Sequence, residues 1–135
     1  MSFHLYPALV TCLALLVYLW TIAACAMARG RYGVAAPAVT GHPDFERAFR
    51  IQQNTLEQLV LFLPSLWVFS LEVSQLWSGV IGLVFVAARI VYVVSYRRNP
   101  AARGPGFTIG FIAAVLLLLG GLAGTVKTLL TGVPM

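Results

Sequence analysis

The chain has 135 residues, of which 60% are hydrophobic and 10% are charged, with a formal net charge of +5. Soluble domains carry about 25% charged residues, so this chain has too few polar residues to cover a surface that faces water. Because a membrane helix takes about 20 residues, the chain can hold four or five spans, and we expect residues 1–135 to form one membrane domain. We expect the basic residues at membrane edges or in an anion pocket, with no nucleic-acid partner.

The first predicted span covers residues 5–28, because no formal charge occurs before Arg29. Small residues around Cys25 are similar to a signal-peptide cleavage site. However, the basic segment of a signal peptide is missing and the apolar run is too long for one, so we expect the span to be retained. Glycines and prolines between Arg29 and Pro43 predict a loop, and Asp44 is placed to cap the second helix.

Further along the chain, apolar segments predict three more membrane helices. The second helix holds one charge in its core, Glu57, and contains Pro64, which is a site for a kink. A turn at residues 72–75 separates it from the third helix, which ends at a loop over residues 97–105. Glycines at GxxxG spacing in the fourth helix suit close helix contacts. We therefore predict an all-α integral membrane four-helix bundle, with spans at residues 5–28, 44–71, 76–96 and 106–126.

The distribution of positive charge predicts the orientation of these helices. Seven arginines flank the first and third loops, whereas Lys127 alone lies at the opposite edge. Since basic loops stay in the cytoplasm, we expect loops one and three to be cytoplasmic and both termini to lie on the other side. The excess of Arg over Lys is typical of a GC-rich bacterial genome, so we expect a multi-pass protein of a bacterial inner membrane.

Two charged residues, Glu57 and Arg89, lie inside the predicted spans. A charge at the centre of a membrane helix costs roughly 2.5–3.5 kcal/mol on insertion scales, so each needs a partner or a role. Both lie about 10–12 Å below the same basic edge at ~1.5 Å per residue, and they are placed to pair.

A polar stripe follows the second helix down from that edge. Arg50, Asn54 and Glu57 are spaced by four and three residues, which places them on one helix face. Gln53 and Gln58 flank this face. A salt bridge that joins two helices would explain both Glu57 and Arg89, but so many further polar residues in one short segment favour a binding site.

The third helix carries a matching stripe of Arg89, Tyr92 and Tyr96. Arginine forks suit carboxylates and a glutamate suits an ammonium group, so the two stripes together favour a small zwitterion with more negative than positive charge. A lipid head group would also fit. The two cysteines and two histidines are not spaced as metal ligands, so we expect no metal.

Residues 46–57 (ERAFRIQQNTLE) and 88–96 (ARIVYVVSY) together resemble the MAPEG family, the membrane-associated proteins in eicosanoid and glutathione metabolism. This family includes microsomal glutathione transferases and leukotriene C synthase, and the resemblance extends over roughly residues 5–127. It implies a homotrimer that binds glutathione as a co-substrate between neighbouring subunits. It also implies that a hydrophobic electrophile or a lipid hydroperoxide reaches the site through the membrane lipids.

The resemblance further implies roles for individual residues. Arg103 matches the arginine that stabilises the glutathione thiolate, and we expect it to be catalytic because a cation makes a thiol with a pKa near 8.5 nucleophilic at neutral pH. Arg29 and Gln52 match positions that reach glutathione from the adjoining subunit. The expected glutathione-binding residues are Arg29, Arg50, Gln52, Asn54, Glu57, Gln58, Arg89, Tyr92 and Tyr96.

The same comparison favours one activity over its alternatives. Gln58 and Gly30 replace a tyrosine and an arginine of leukotriene C synthase, which favours a general glutathione transferase, with lipid hydroperoxide reduction as a second activity. A non-catalytic lipid-binding scaffold is an alternative, although the retention of Arg50, Glu57 and Arg103 favours catalysis. A small proton-coupled exporter would use Glu57 as its carrier, but the nearby arginines would repel cationic drugs.

Overall fold

The computed structural model describes residues 4–133, which form four α-helices and one short 3-10 helix. Within these residues, three segments are long and apolar enough to cross a membrane, namely Leu5–Tyr32, Gln75–Arg98 and Pro100–Thr131. The all-helical four-helix prediction is confirmed, whereas a membrane crossing by the second helix, whose first half is rich in polar residues, stays a prediction. The helices are α1 (Leu5–Tyr32), α2 (Pro43–Glu72), α3 (Gln75–Arg98) and α4 (Gly104–Thr131), and the 3-10 helix is Pro100–Arg103.

The first loop is shorter than the loop between Arg29 and Pro43 that we predicted from its glycines and prolines, because α1 extends to Tyr32. Helix α1 continues through Arg29 and ends at Gly33, which has a positive φ of 69° and donates its backbone N–H to the Arg29 carbonyl. The predicted cap of α2 was also wrong. His42 is the capping residue, because its Nδ1 accepts a hydrogen bond of 3.1 Å from the backbone N–H of Asp44. Asp44 instead lies in the first turn, where a negative charge favours the helix dipole.

The remaining connections are tight. Helix α2 is continuous through Pro64, so the proline does not end it. The predicted turn before α3 is confirmed, and the Ser74 hydroxyl caps α3 by accepting from the Trp77 N–H at 3.2 Å. The predicted loop at residues 97–105 is largely helical, because Asn99 caps the 3-10 helix and α4 follows directly.

The core lies where all four α-helices pack together. Phe62 of α2 and Phe85 of α3 stack with ring centroids 3.7 Å apart, and both side chains are fully buried. Glycines let α4 approach its neighbours. A Cβ at Gly106 would lie 2.7 Å from the backbone nitrogen of Tyr92, and one at Gly120 would meet the ring of Phe69. The GxxxG glycines thus serve helix contacts within the chain, and they hold the start of α4 against the end of α3.

Candidate functional site

A cavity of about 560 Å³ lies where α2 begins, α3 ends and the short 3-10 helix leads into α4. It combines both predicted polar stripes with residues of the first loop and the third connection. Six of the ten residues predicted for the site line this cavity. The lining residues are Val39, Thr40, Glu46, Phe49, Arg50, Gln53, Asn54, Glu57, Tyr92, Tyr96 and Arg103.

Helix α2 supplies one wall because its polar residues repeat with the helical period. Arg50, Asn54 and Glu57 share a face, and the unbroken helix keeps them in one line along the cavity. Gln53, which only flanked the predicted stripe, also lines the wall. With Glu46 at its start, the wall therefore offers one cation, two carboxylates and two amides to a ligand.

The predicted pairing of Glu57 with Arg89 is wrong. Arg89 is only 2% exposed and donates from Nη1 to Asn54 Oδ1 at 2.9 Å and from Nη2 to Thr55 Oγ1 at 2.8 Å. These two oxygens lie on the side of α2 that packs against α3, whereas Glu57 is exposed at the cavity. Both partners of Arg89 are neutral, so a positive charge remains directly behind the wall.

Thr55 is a hydrogen-bond partner of Arg89 that the sequence pattern did not reveal. Its hydroxyl donates to the Ile51 carbonyl at 2.7 Å, which leaves a lone pair of Oγ1 to accept from Arg89. The sequence shows only that Thr55 follows Asn54 in a mainly polar segment. That position does not reveal whether the hydroxyl bonds only to its own helix backbone or also accepts from an arginine.

The opposite wall is aromatic and cationic. The guanidinium of Arg89 lies 4.1 Å from the ring centre of Tyr92, and the ring of Tyr92 meets that of Tyr96 edge to face at 5.6 Å. Arg103 extends over Tyr96 at 5.2 Å and donates from Nη1 to the Pro100 carbonyl at 3.0 Å. Its guanidinium is thereby held at the cavity edge with further N–H groups left to contact a ligand.

Three other predicted residues lie away from the cavity lining. Arg29 donates to the Ala38 carbonyl at 2.7 Å and lies over the ring of Phe45 at 4.7 Å, which holds the first loop against α2. Gln52 and Gln58 are half-buried on other parts of α2. The Oε1 atom of Gln58 is buried and accepts no hydrogen bond from residues 4–133.

The charges of the cavity favour an anion that also carries one positive group. Arg50 and Arg103 line the cavity and Arg89 lies behind its wall. These three positive charges outnumber the two carboxylates of the lining, which belong to Glu46 and Glu57. Among residues 4–133, no three His, Cys, Asp or Glu side chains come together as a metal site would require. The arrangement can bind a small acidic zwitterion and stabilise a second negative charge near Arg103.

Comparison with known proteins adds independent information on the chain. An uncharacterised protein of Synechocystis sp. is 42% identical over 118 residues, which cover 87% of this chain and 86% of that protein. Microsomal glutathione S-transferase 2 of Homo sapiens is 41% identical over 96 residues, which cover 70% of this chain and 65% of that protein. Leukotriene C4 synthase of Mus musculus is 34% identical over 112 residues, which cover 76% of this chain and 74% of that protein.

The family assignment rests on nearly the whole chain. The model of the MAPEG family matches residues 7–123, which include every residue predicted for the site. The resemblance that the two sequence motifs indicated is therefore confirmed, and the chain belongs to the MAPEG family.

Proposed function

We propose that this protein is a membrane glutathione transferase that holds glutathione in the cavity and activates its thiol for attack on a hydrophobic electrophile. The observation that carries the proposal is the meeting of Arg50, Asn54, Glu57, Tyr92, Tyr96 and Arg103 in one cavity. The names of two relatives, a microsomal glutathione S-transferase and a leukotriene C4 synthase, support it.

Glutathione fits this cavity in size and charge. A volume of about 560 Å³ lies within the roughly 300–1,000 Å³ of small-molecule sites. Glutathione carries two carboxylates and one ammonium group, which match the arginines and Glu57. We infer that Arg50 binds a carboxylate, that Glu57 accepts from the ammonium group, and that Asn54 hydrogen bonds to a peptide group.

The chemical step needs a cation near sulfur. Arg103 stabilises the thiolate, so the S–H proton passes to water before the attack. A lone pair of the sulfur then forms a C–S bond with the electrophilic carbon, and the electrons of the broken bond leave with the oxygen or halide at that carbon. We infer that the hydroxyl groups of Tyr92 and Tyr96, which line the cavity, donate to the developing anion.

We propose a homotrimer in which the neighbouring subunit completes the site. Arg29 and Gln52 do not line the cavity of their own chain, and we propose that they contact glutathione in the next subunit's cavity. The apolar exterior of α1, α3 and α4 suits membrane lipids, so the electrophile or lipid hydroperoxide arrives within the bilayer. We retain the cytoplasmic placement of loops one and three, and the bacterial inner membrane, as proposals.

The test is the ultraviolet absorbance of the thiolate when glutathione is added to the purified protein. We expect a saturable increase at pH 7 with release of one proton for each active site, and its loss in the Arg103→Ala variant. Arg98→Ala is the matched control, because Arg98 is an exposed arginine near the same edge that does not line the cavity. Saturable binding of glutathione without absorbance or proton release would instead assign a non-catalytic binding protein.

A further inference from the structure

A second cavity, of about 370 Å³, opens on a different face of α2, between α1, the start of α2 and the end of α3. It contains none of the residues predicted to bind glutathione. Asp44, Arg47 and Ala48 form its α2 wall. The α2 wall of the first cavity lies on another helix face and consists of Glu46, Phe49, Arg50, Gln53, Asn54 and Glu57. We refer to this second cavity as the α1 groove.

The long side of the α1 groove is apolar and follows α1. Trp20, Ala23, Ala24 and Met27 recur at helical spacing along it, and Trp20 and Met27 are exposed. From Trp20 to Arg31 the helix rises about 16 Å at ~1.5 Å per residue. This length matches the roughly 15 Å of one hydrocarbon leaflet, so the apolar side has the length of a lipid chain.

The other end of the α1 groove is cationic. Arg31, Arg47 and Arg97 come from three different helices and meet there, with Asp44 as the acidic side chain of the lining. Arg47 donates from Nη1 to the Arg97 carbonyl at 3.1 Å, which holds its guanidinium at the end of α3. Arginine guanidinium groups suit phosphate oxygens, and three arginines with one carboxylate leave the net charge of this lining positive.

We propose that the α1 groove binds an anionic phospholipid, with the phosphodiester head group at Arg31, Arg47 and Arg97 and an acyl chain along Trp20 and Met27. The combination selects this ligand, since a soluble phosphate would leave the apolar side uncovered and an uncharged lipid would leave the arginines without a partner. The positive-inside pattern of the sequence explains that arginines occur at this edge, but it does not explain their convergence on one groove. The site is independent of glutathione binding.

Tryptophan fluorescence tests the proposal because Trp20 lies in the groove. In a Trp67→Phe, Trp77→Phe background only Trp20 remains of the three tryptophans. The protein is placed in vesicles of phosphatidylcholine with a small fraction of either dibrominated phosphatidylglycerol or dibrominated phosphatidylcholine, whose bromines quench a nearby indole. We expect stronger quenching of Trp20 by the anionic lipid at equal mole fraction.

The Arg31→Gln, Arg97→Gln variant should lose this preference, by about fivefold in relative binding for each arginine. Arg98→Gln, which removes an exposed arginine outside the groove, should retain it. All three arginine side chains replaced in these comparisons are exposed, so circular dichroism and gel filtration should match the parent protein. Saturating glutathione should leave the quenching unchanged.

Several results would overturn the lipid site. Equal quenching by both lipids would show that the groove does not select the head group, and absence of quenching by either would show that another copy of the chain covers it. An equal loss in Arg98→Gln would assign the preference to general surface charge. Displacement of the lipid by glutathione, or by soluble glycerol phosphate at equal concentration, would assign the arginines to a water-soluble anion.

Discussion

Arg89 and Asn54 are joined by a hydrogen bond of 2.9 Å between Nη1 and Oδ1, which connects the interior of α3 to the cavity-lining face of α2. Arg89 is almost completely buried, whereas Asn54 lines the cavity. The buried cation therefore orients the amide that a ligand would meet. It also places an unneutralised positive charge behind the wall, where the low dielectric of the interior strengthens its attraction for an anion.

Replacing Arg89 with Met should weaken both the fold and ligand binding. The change leaves Asn54 Oδ1 and Thr55 Oγ1 without their donor, and each buried polar atom left unsatisfied costs about 1–3 kcal/mol. We expect a lower Tm in detergent and weaker glutathione binding by equilibrium dialysis. Thr55→Val removes only one of the two bonds and should lower the Tm less while glutathione binding stays near normal. Equal glutathione affinities in the parent and Arg89→Met would contradict the orienting role of Arg89.

A side chain at Gly106 should separate α4 from α3. The Cβ of Gly106→Ala would lie 2.7 Å from the Tyr92 nitrogen and 2.9 Å from the Ala88 carbonyl oxygen, and backbone atoms cannot rotate away. We expect a loss of about 1–3 kcal/mol in stability, as for overpacked cores, together with lower activity because Arg103 precedes this contact. Gly104→Ala is the control, since a Cβ there meets nothing within 4 Å. Both variants would be compared by thermal unfolding and by turnover.

Replacing Arg103 with Ala should change the pH dependence of conjugation. Without the cation, the glutathione thiol returns toward a pKa of about 8.5, so only about 3% is thiolate at pH 7. We expect turnover with an aryl halide to fall at least about tenfold at pH 7 and to recover as the pH rises through 8.5. The KM for glutathione should change little.

Arg98→Ala serves as the control for this pH profile and should match the parent protein at every pH. A defect in Arg103→Ala that stays constant between pH 7 and pH 9 would assign Arg103 to substrate positioning rather than to thiolate stabilisation. Turnover equal to that of the parent at pH 7 would remove Arg103 from the mechanism.

Mixed assemblies should reveal whether sites lie between subunits. Arg29→Ala and Arg103→Ala subunits would be co-expressed with different affinity tags and isolated together. If Arg29 of one subunit serves the cavity of its neighbour, each mixed trimer contains one site in which an intact Arg103 meets an intact Arg29, so about one third of the sites in the isolated mixed trimers should be active. Activity no higher than the mean of the two separate variants would show that Arg29 acts in its own chain or not at all.

Much of the candidate site could be predicted because it depends on local repeats. The spacing of Arg50, Asn54 and Glu57 places them on one face of any straight α-helix, and α2 is unbroken across them. Helix ends were less accurate. Arg29 lies within α1 rather than at its end, because the helix continues until Gly33 can adopt a left-handed conformation, and glycine content alone does not locate that residue.

Composition and periodicity, which are properties of the sequence alone, determined that this is an all-helical, membrane-type chain with two polar stripes, and two sequence motifs indicated its resemblance to the MAPEG family. Only the tertiary structure decided which side chains meet. Because of the rotation of α3 relative to α2, Arg89 donates hydrogen bonds to Asn54 and Thr55, whereas Glu57 lines the cavity. Packing likewise gathers Arg31, Arg47 and Arg97 into one groove. Contacts between helices depend on their rotation and closest approach, which are set by residues such as Gly106 that are distant in sequence from the charges they position.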